Sequence, residues 1–253
     1  MENIGASLGW GLVIGGSLVL GAVSAAILRL PGRVAATLTA FGGGVLLAAI
    51  ALELVPEADR EAGAALTAAG LLAGTLVYVG ADWWLGRDPK MMEMRRSGHA
   101  AAAGQPMTMR SSEAMRGESI AVGLFVDGVP ESIALGLTIA EGEIGVALLA
   151  GVLIGNVVEA YGAAQPIIAG GHTKRFAVTL LTAIGFALAF ATVLGGTVLA
   201  DASGELVGTA QAVAGGAVLA VVSIAIVPHA FSEVNRLVAS ATVAGFIAGY
   251  LLS

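Results

Sequence analysis

Asp127 and Glu131 stand four residues apart in "FVDGVPESIALG", residues 125–136, one of the most apolar stretches of the chain. On a helix that spacing is about 400°, which puts both side chains on one face, about 40° apart. Pro130 has no N–H, so the carbonyl of Val126 loses its helical partner and adds an oxygen beside the carboxylates. Gly128 leaves space for another helix or an ion. A second pair, Asn156 and Glu159 in "LIGNVVEAYGAAQP", lies three apart and again on one face. Close carboxylates repel one another, so some must be protonated or neutralised by a cation. A divalent ion does that, with Asp127, Glu131, Asn156 and Glu159 as ligands. The plainer alternative is protonated acids that bond backbone groups across helices.

The elements that hold these residues are predicted to be membrane helices. The chain has 253 residues, 57% hydrophobic and 12% charged, where soluble domains carry about 25% charged residues. Apolar segments of about 20 residues, enough to cross a bilayer, recur along its length. Eight spans are expected, at roughly 7–28, 34–55, 63–86, 119–140, 144–170, 176–200, 206–228 and 237–253. This is an all-α integral membrane protein with a single domain over 1–253. Spans one to three occupy about 7–86, a polar loop 87–118, the hairpin of spans four and five about 119–170, and spans six to eight about 176–253. "MENIGASLGW" has no basic segment, so the first span is expected to stay as a helix.

Counted from the turn at Gly142, Asp127 is 15 residues away, Asn156 14, Glu131 11 and Glu159 17. In an antiparallel hairpin the four converge roughly 17–25 Å along the helices, near the middle of a hydrocarbon core about 30 Å thick. Ionisable residues at that depth are costly and mark ion paths or proton relays. With alternate loops assigned to alternate sides, eleven of the twelve Lys and Arg fall on one side. That side is cytoplasmic, and both termini then face outward from the cell (inner) membrane. There is no cysteine to supply a thiolate ligand.

Other polar residues mark candidate paths. Glu53, Glu57, Asp59 and Glu61 cluster at the end of span two, where they can attract cations or form an ordinary acidic loop. Glu118, at the start of span four, can line the exit. His229 and Glu233 in "PHAFSE" lie four apart at the inner end of span seven, spaced to chelate a departing ion or simply to cap the helix. Six of the seven methionines lie in 87–118, where they either bind soft metals or belong to a linker resting on anionic lipid. His172 is read as loop, Pro166 beside Gln165 as a kink, and Asp82 with Trp83 and Trp84 as an interfacial belt. An echo links "GGVLLAAIALELVPEA" (43–58) to "GGAVLAVVSIAIVPHA" (215–230) at an offset of 172, with seven of sixteen positions identical. As an internal repeat, its copies would cross in opposite directions, a pattern typical of transporters.

"DGVPESIALG" resembles the ZIP family signature His-Asn-x-Pro-Glu-Gly, and "GNVVEA" resembles the polar pair followed by x-Pro-Glu in that family's fifth span. The likeness extends to eight spans, outward termini, a long loop after span three and "GVLLAAIALELVPEA" in span two. The resemblance implies a transporter, not an enzyme, that moves zinc, manganese, iron or cadmium into the cytoplasm. Its helices would be arranged three, two, three with an inverted repeat, often as a homodimer in membrane lipid, without nucleic acid. Asp127 takes the place of the family histidine, Pro130, Glu131 and Glu159 match, and Asn156 falls where an acidic or amide ligand is usual. Gly128, Ser132, Gly155 and Val158 depart from the pattern and leave two ligand positions of a binuclear site blank. Carboxylate, amide and carbonyl ligands suit manganese, iron or magnesium better than imidazole does, although carboxylates also bind zinc. Two other readings are a transport-inactive relative acting as metal sensor or proton pathway, motivated by the lost histidine, and an intramembrane aspartyl protease, suggested by "FVDG". The protease needs a second aspartate in another span, and the fifth offers Asn156 and Glu159.

Overall fold

The computed structural model describes residues 2–28, 30–86, 124–125, 128–139, 142, 146–169, 171–198 and 202–253. Among them there is helix and no strand. Five helical stretches are long and apolar enough to cross a membrane: Gly5–Ile27, Gly32–Ala81, Val146–Gln165, Lys174–Val198 and Gly204–Ile224. Gly128–Ile139 and Leu237–Leu252 are shorter apolar helices. Leu72, Leu76, Val77, Phe186, Phe190 and Tyr250 lie exposed on helix exteriors, as expected of helices solvated by hydrocarbon. The protein is all-helical and membrane-embedded.

The elements are α1 (Glu2–Ile27), α2 (Gly32–Ala49), α3 (Val55–Gly86), α4 (Gly128–Ile139), α5 (Val146–Ala169), α6 (Lys174–Val198), α7 (Gly204–Val221), α8 (Val227–Val234) and α9 (Leu237–Leu252). A π turn, Ile50–Leu54, joins α2 to α3. Its cause is Pro56, which has no N–H for the carbonyl of Leu52 and whose ring crowds that carbonyl. The backbone widens by one residue, and Val55 N–H bonds Ile50 O five positions back. The helix then restarts through Pro56, tolerated in a first turn. Residues 56–62, expected as a loop, are therefore helical up to Gly63, where the chain bends with φ 77 and ψ 159.

The same construction returns 172 residues later. α7 ends in a π turn, Val222–Ile226, Val227 N–H bonds Val222 O, and Pro228 follows in the first turn of α8. The counterpart of Gly63 is Asn235, with φ 51 the only non-glycine residue of positive φ among the described residues. The repeat thus runs well beyond the echo at 43–58, through both helices of each copy.

The copies pack crosswise, α3 along α7 and α9 along α2. A Cβ on Gly74 would collide with Val213 O and one on Gly245 with Phe41 O. Phe41 and Val213 are again 172 apart. Gly43 of α2 faces Val222 and Ile226, while Gly215 of α7 faces Ile50 and Leu54. Those reciprocal contacts make α2 and α7 antiparallel. In lipid such small residues let backbones approach closely.

A second group forms around α1. It crosses α6 antiparallel at Gly15 and Gly185, where a Cβ on either would lie 2.8 Å from the other's carbonyl oxygen. α5 runs parallel to α1 with Val157 and Ala160 against Gly21, and α4 runs parallel to α6 with Gly136 against Thr192, Gly195 and Gly196. α2 against α5 joins the two groups, through Gly42 beside Ile154 and Gly155, and Leu46 beside Gly151. One end of the molecule holds the bend at Gly63 and the starts of α5 and α7. The other holds Asn235 and the starts of α2, α6 and α9.

Candidate metal centre

Glu131 is positioned by the small residues around it on α4. Gly128, Ser132 and Gly136 recur every fourth position and form one face. That face packs on α6, with a Cβ on Gly128 2.6 Å from Leu188 Cδ1 and Gly136 against Thr192. Glu131 is offset from it by about 100°, and the residue is only 7% exposed. The Ser132 hydroxyl is fully buried with no hydrogen-bond partner among the described residues. Asp127, and Val126 with its carbonyl, lie outside the described residues.

α5 presents three faces. Gly151 and Gly155 meet α2; Val157 and Ala160 meet α1. The third, carrying Val152, Asn156, Glu159 and Ala163, turns away from both. Val152, Asn156 and Ala163 are nevertheless buried, Asn156 at 2% exposure, so this face looks into the molecule. Glu159 on it is half-buried. The amide nitrogen of Asn156 has no hydrogen-bond partner among the described residues. A buried donor in that condition costs about 1–3 kcal/mol, a cost that binding sites characteristically carry. Two carboxylates of the expected quartet, Glu131 and Glu159, are described. Among the described residues no three His, Cys, Asp or Glu side chains gather as a metal cluster.

Three acids at the Gly63 end, Glu53, Glu57 and Glu61, are engaged by groups of the protein itself. Glu53, in the first π turn, accepts hydrogen bonds from the N–H groups of Ala147 at 3.1 Å and Leu148 at 3.3 Å. These are orphan donors in the first turn of α5, at the positive end of its dipole. Glu57 pairs with Arg60, whose Nε is also 3.8 Å from Glu61. Glu61 in turn lies against Gly204 and Gly208 at the start of α7. The stripe expected as an entrance therefore also joins helices.

The opposite end has a polar network that sequence reasoning missed. Gln165 Nε2 donates to Ala25 O at 2.9 Å and Leu28 O at 3.3 Å, and Lys174 Nζ to Ala26 O at 2.7 Å. The Tyr161 hydroxyl accepts from Leu30 N–H at 2.6 Å and donates to Leu28 O at 3.2 Å. Together they satisfy carbonyls left open where α1 ends. The only signal in the sequence was a Tyr and a Gln four apart on an apolar helix. His229 and Glu233 fall on α8, one turn apart, at the positions equivalent to Glu57 and Glu61. His172 lies in the loop before α6, stacked on Phe176 with ring centroids 4.3 Å apart. Pro166 falls within α5. Glu118 and the methionine-rich stretch lie outside the described residues. No protein-family model matches the chain, and no curated protein matches it significantly.

Proposed function

We propose that the protein is a ZIP-like carrier that moves divalent transition-metal cations across the cell (inner) membrane toward the cytoplasm by alternating access. Asp127, Glu131, Asn156 and Glu159 are its ligands. The observation that carries this reading is the inward burial of Glu131 and Asn156 within apolar helices, with the Asn156 amide left without a described partner. Charged groups in that setting are kept for ion paths. The crosswise, antiparallel repeat supports an eight-span, three-two-three arrangement around a central site. In this topology the Gly63 end faces outward, as do both termini, and the Asn235 end carries the basic cytoplasmic loops. The protein works as a homodimer in lipid.

Gly128 packs beside Leu188, whose Cδ1 a Cβ there would meet at 2.6 Å, and glycine offers no donor at a position where the family resemblance expects a ligand. This favours a site for one ion. Its hard donors accept zinc, manganese and iron. The test is purified protein in liposomes, with uptake of zinc, manganese and iron measured side by side. Saturable uptake of at least one is expected, reduced by about a hundredfold or more in Glu131→Ala and Glu159→Ala, whose carboxylates neutralise the ion. No flux for any of the three would replace this reading with the transport-inactive sensor or proton pathway.

A further inference from the structure

We infer that Glu53 is a latch that closes the Gly63 end over the site by holding α5 onto the first π turn. What it closes rests on the carrier reading; the contact itself does not. α5 carries Asn156 and Glu159, and its principal seam with the other helix group is α2. Along that seam the contacts are apolar, Gly42 with Ile154 and Leu46 with Gly151. At the Gly63 end the seam finishes in a polar bond, the Glu53 carboxylate on Ala147 N–H and Leu148 N–H.

Three features make this a closure that opens rather than a fixed strut. A single side chain makes both bonds, at 3.1 and 3.3 Å, longer than the 2.7–2.9 Å of tight charge-assisted pairs. Its backbone lies in a π turn, a geometry concentrated at functional positions. The repeat also supplies an internal comparison: the residue equivalent to Glu53 in the second copy is Ala225, whose methyl cannot bond a helix end. The repeat therefore supplies no equivalent carboxylate in its second copy. The resting protein is accordingly closed at the Gly63 end.

The experiment exploits the absence of cysteine in the chain. Leu149 is buried on α5, between the latch and Asn156 and on the same face as Asn156. Leu149→Cys is placed alone in the protein, and its reaction with a membrane-impermeant thiol reagent applied from the Gly63 side is timed without metal. The rate is expected to be low, to rise by about tenfold or more in Glu53→Ala, which removes both bonds, and to stay the same in Glu205→Gln, an exposed acid at the same end. Reagent from the opposite side is expected to react no faster with the variant than with the parent, whereas a general loosening of the fold would raise both rates. Should Glu53→Ala not fold, the isosteric Glu53→Gln, which loses the charge, is expected to give a several-fold rise. An unchanged rate in the folded variant, or fast reaction in the parent, overturns the latch. Because no flux is measured, failure of metal uptake leaves this result standing, and the converse holds as well.

Discussion

Asn156 carries the sharpest conflict between stability and function. Its amide nitrogen is buried without a described partner, so a leucine, branched at the same atom though bulkier, would remove a desolvated donor and gain apolar contact. Asn156→Leu is expected to leave the thermal midpoint in detergent unchanged or raise it, while abolishing cation uptake. A lower midpoint would mean that the amide serves the fold. That Asn156 and Glu159 share a face of α5 was legible because helical spacing alone puts them there, whereas Asp127, the expected neighbour of Glu131, lies outside the described residues. That the Asn156 face points inward was not legible, since it depends on Gly151 and Gly155 meeting α2 while Val157 and Ala160 meet α1. The use of Glu53 as a helix cap was equally hidden: its partners are backbone N–H groups 94 and 95 residues away.

The prolines explain both what the sequence disclosed about the elements and what it concealed. Pro56 and Pro228 helped mark the repeat, yet a proline after an apolar run signals a turn as readily as a kink. The structure resolves the conflict with a π turn and a helix that continues to Gly63, so residues 56–62 form a short helical limb, and residues 227–234 form its counterpart in the second copy. The limb turns at Gly63 in the first copy and at Asn235 in the second. Asn235 holds φ 51 and ψ −128, a region that favours glycine and costs other residues about 1–3 kcal/mol. Glycine also loses more freedom on folding, about 0.4–1 kcal/mol. Asn235→Gly is therefore expected to gain about 1 kcal/mol net, read as a rise in the thermal midpoint with uptake unchanged. A fall would show that the asparagine side chain stabilises the bend by more than the strain costs.

The molecule as a whole is two helix groups, each sewn together by glycine, meeting along α2 and α5. Within the α1 group a Cβ at Gly11 lies 3.3 Å from Ala189 Cβ and 2.9 Å from Ala189 O, so a small outward shift of one helix brings the pair to the roughly 3.5–4.5 Å that a disulfide spans. Between the groups a Cβ at Gly42 lies 3.5 Å from Ile154 Cγ2, so a sulfur at 154 is placed to bond one at 42. Glycine-to-glycine crossings such as Gly15 on Gly185 interlock two backbones and leave little freedom to slide, whereas the α2 and α5 seam ends in the two hydrogen bonds of one carboxylate. On the proposed carrier reading, alternating access then needs motion at the second seam and not at the first. Oxidising Gly11→Cys/Ala189→Cys is expected to leave cation uptake within about twofold, while oxidising Gly42→Cys/Ile154→Cys lowers it at least about tenfold, reversibly with reductant, as fixing a hinge or shear interface does. Equal tolerance of both cross-links would locate the motion elsewhere, within the hairpin of α4 and α5.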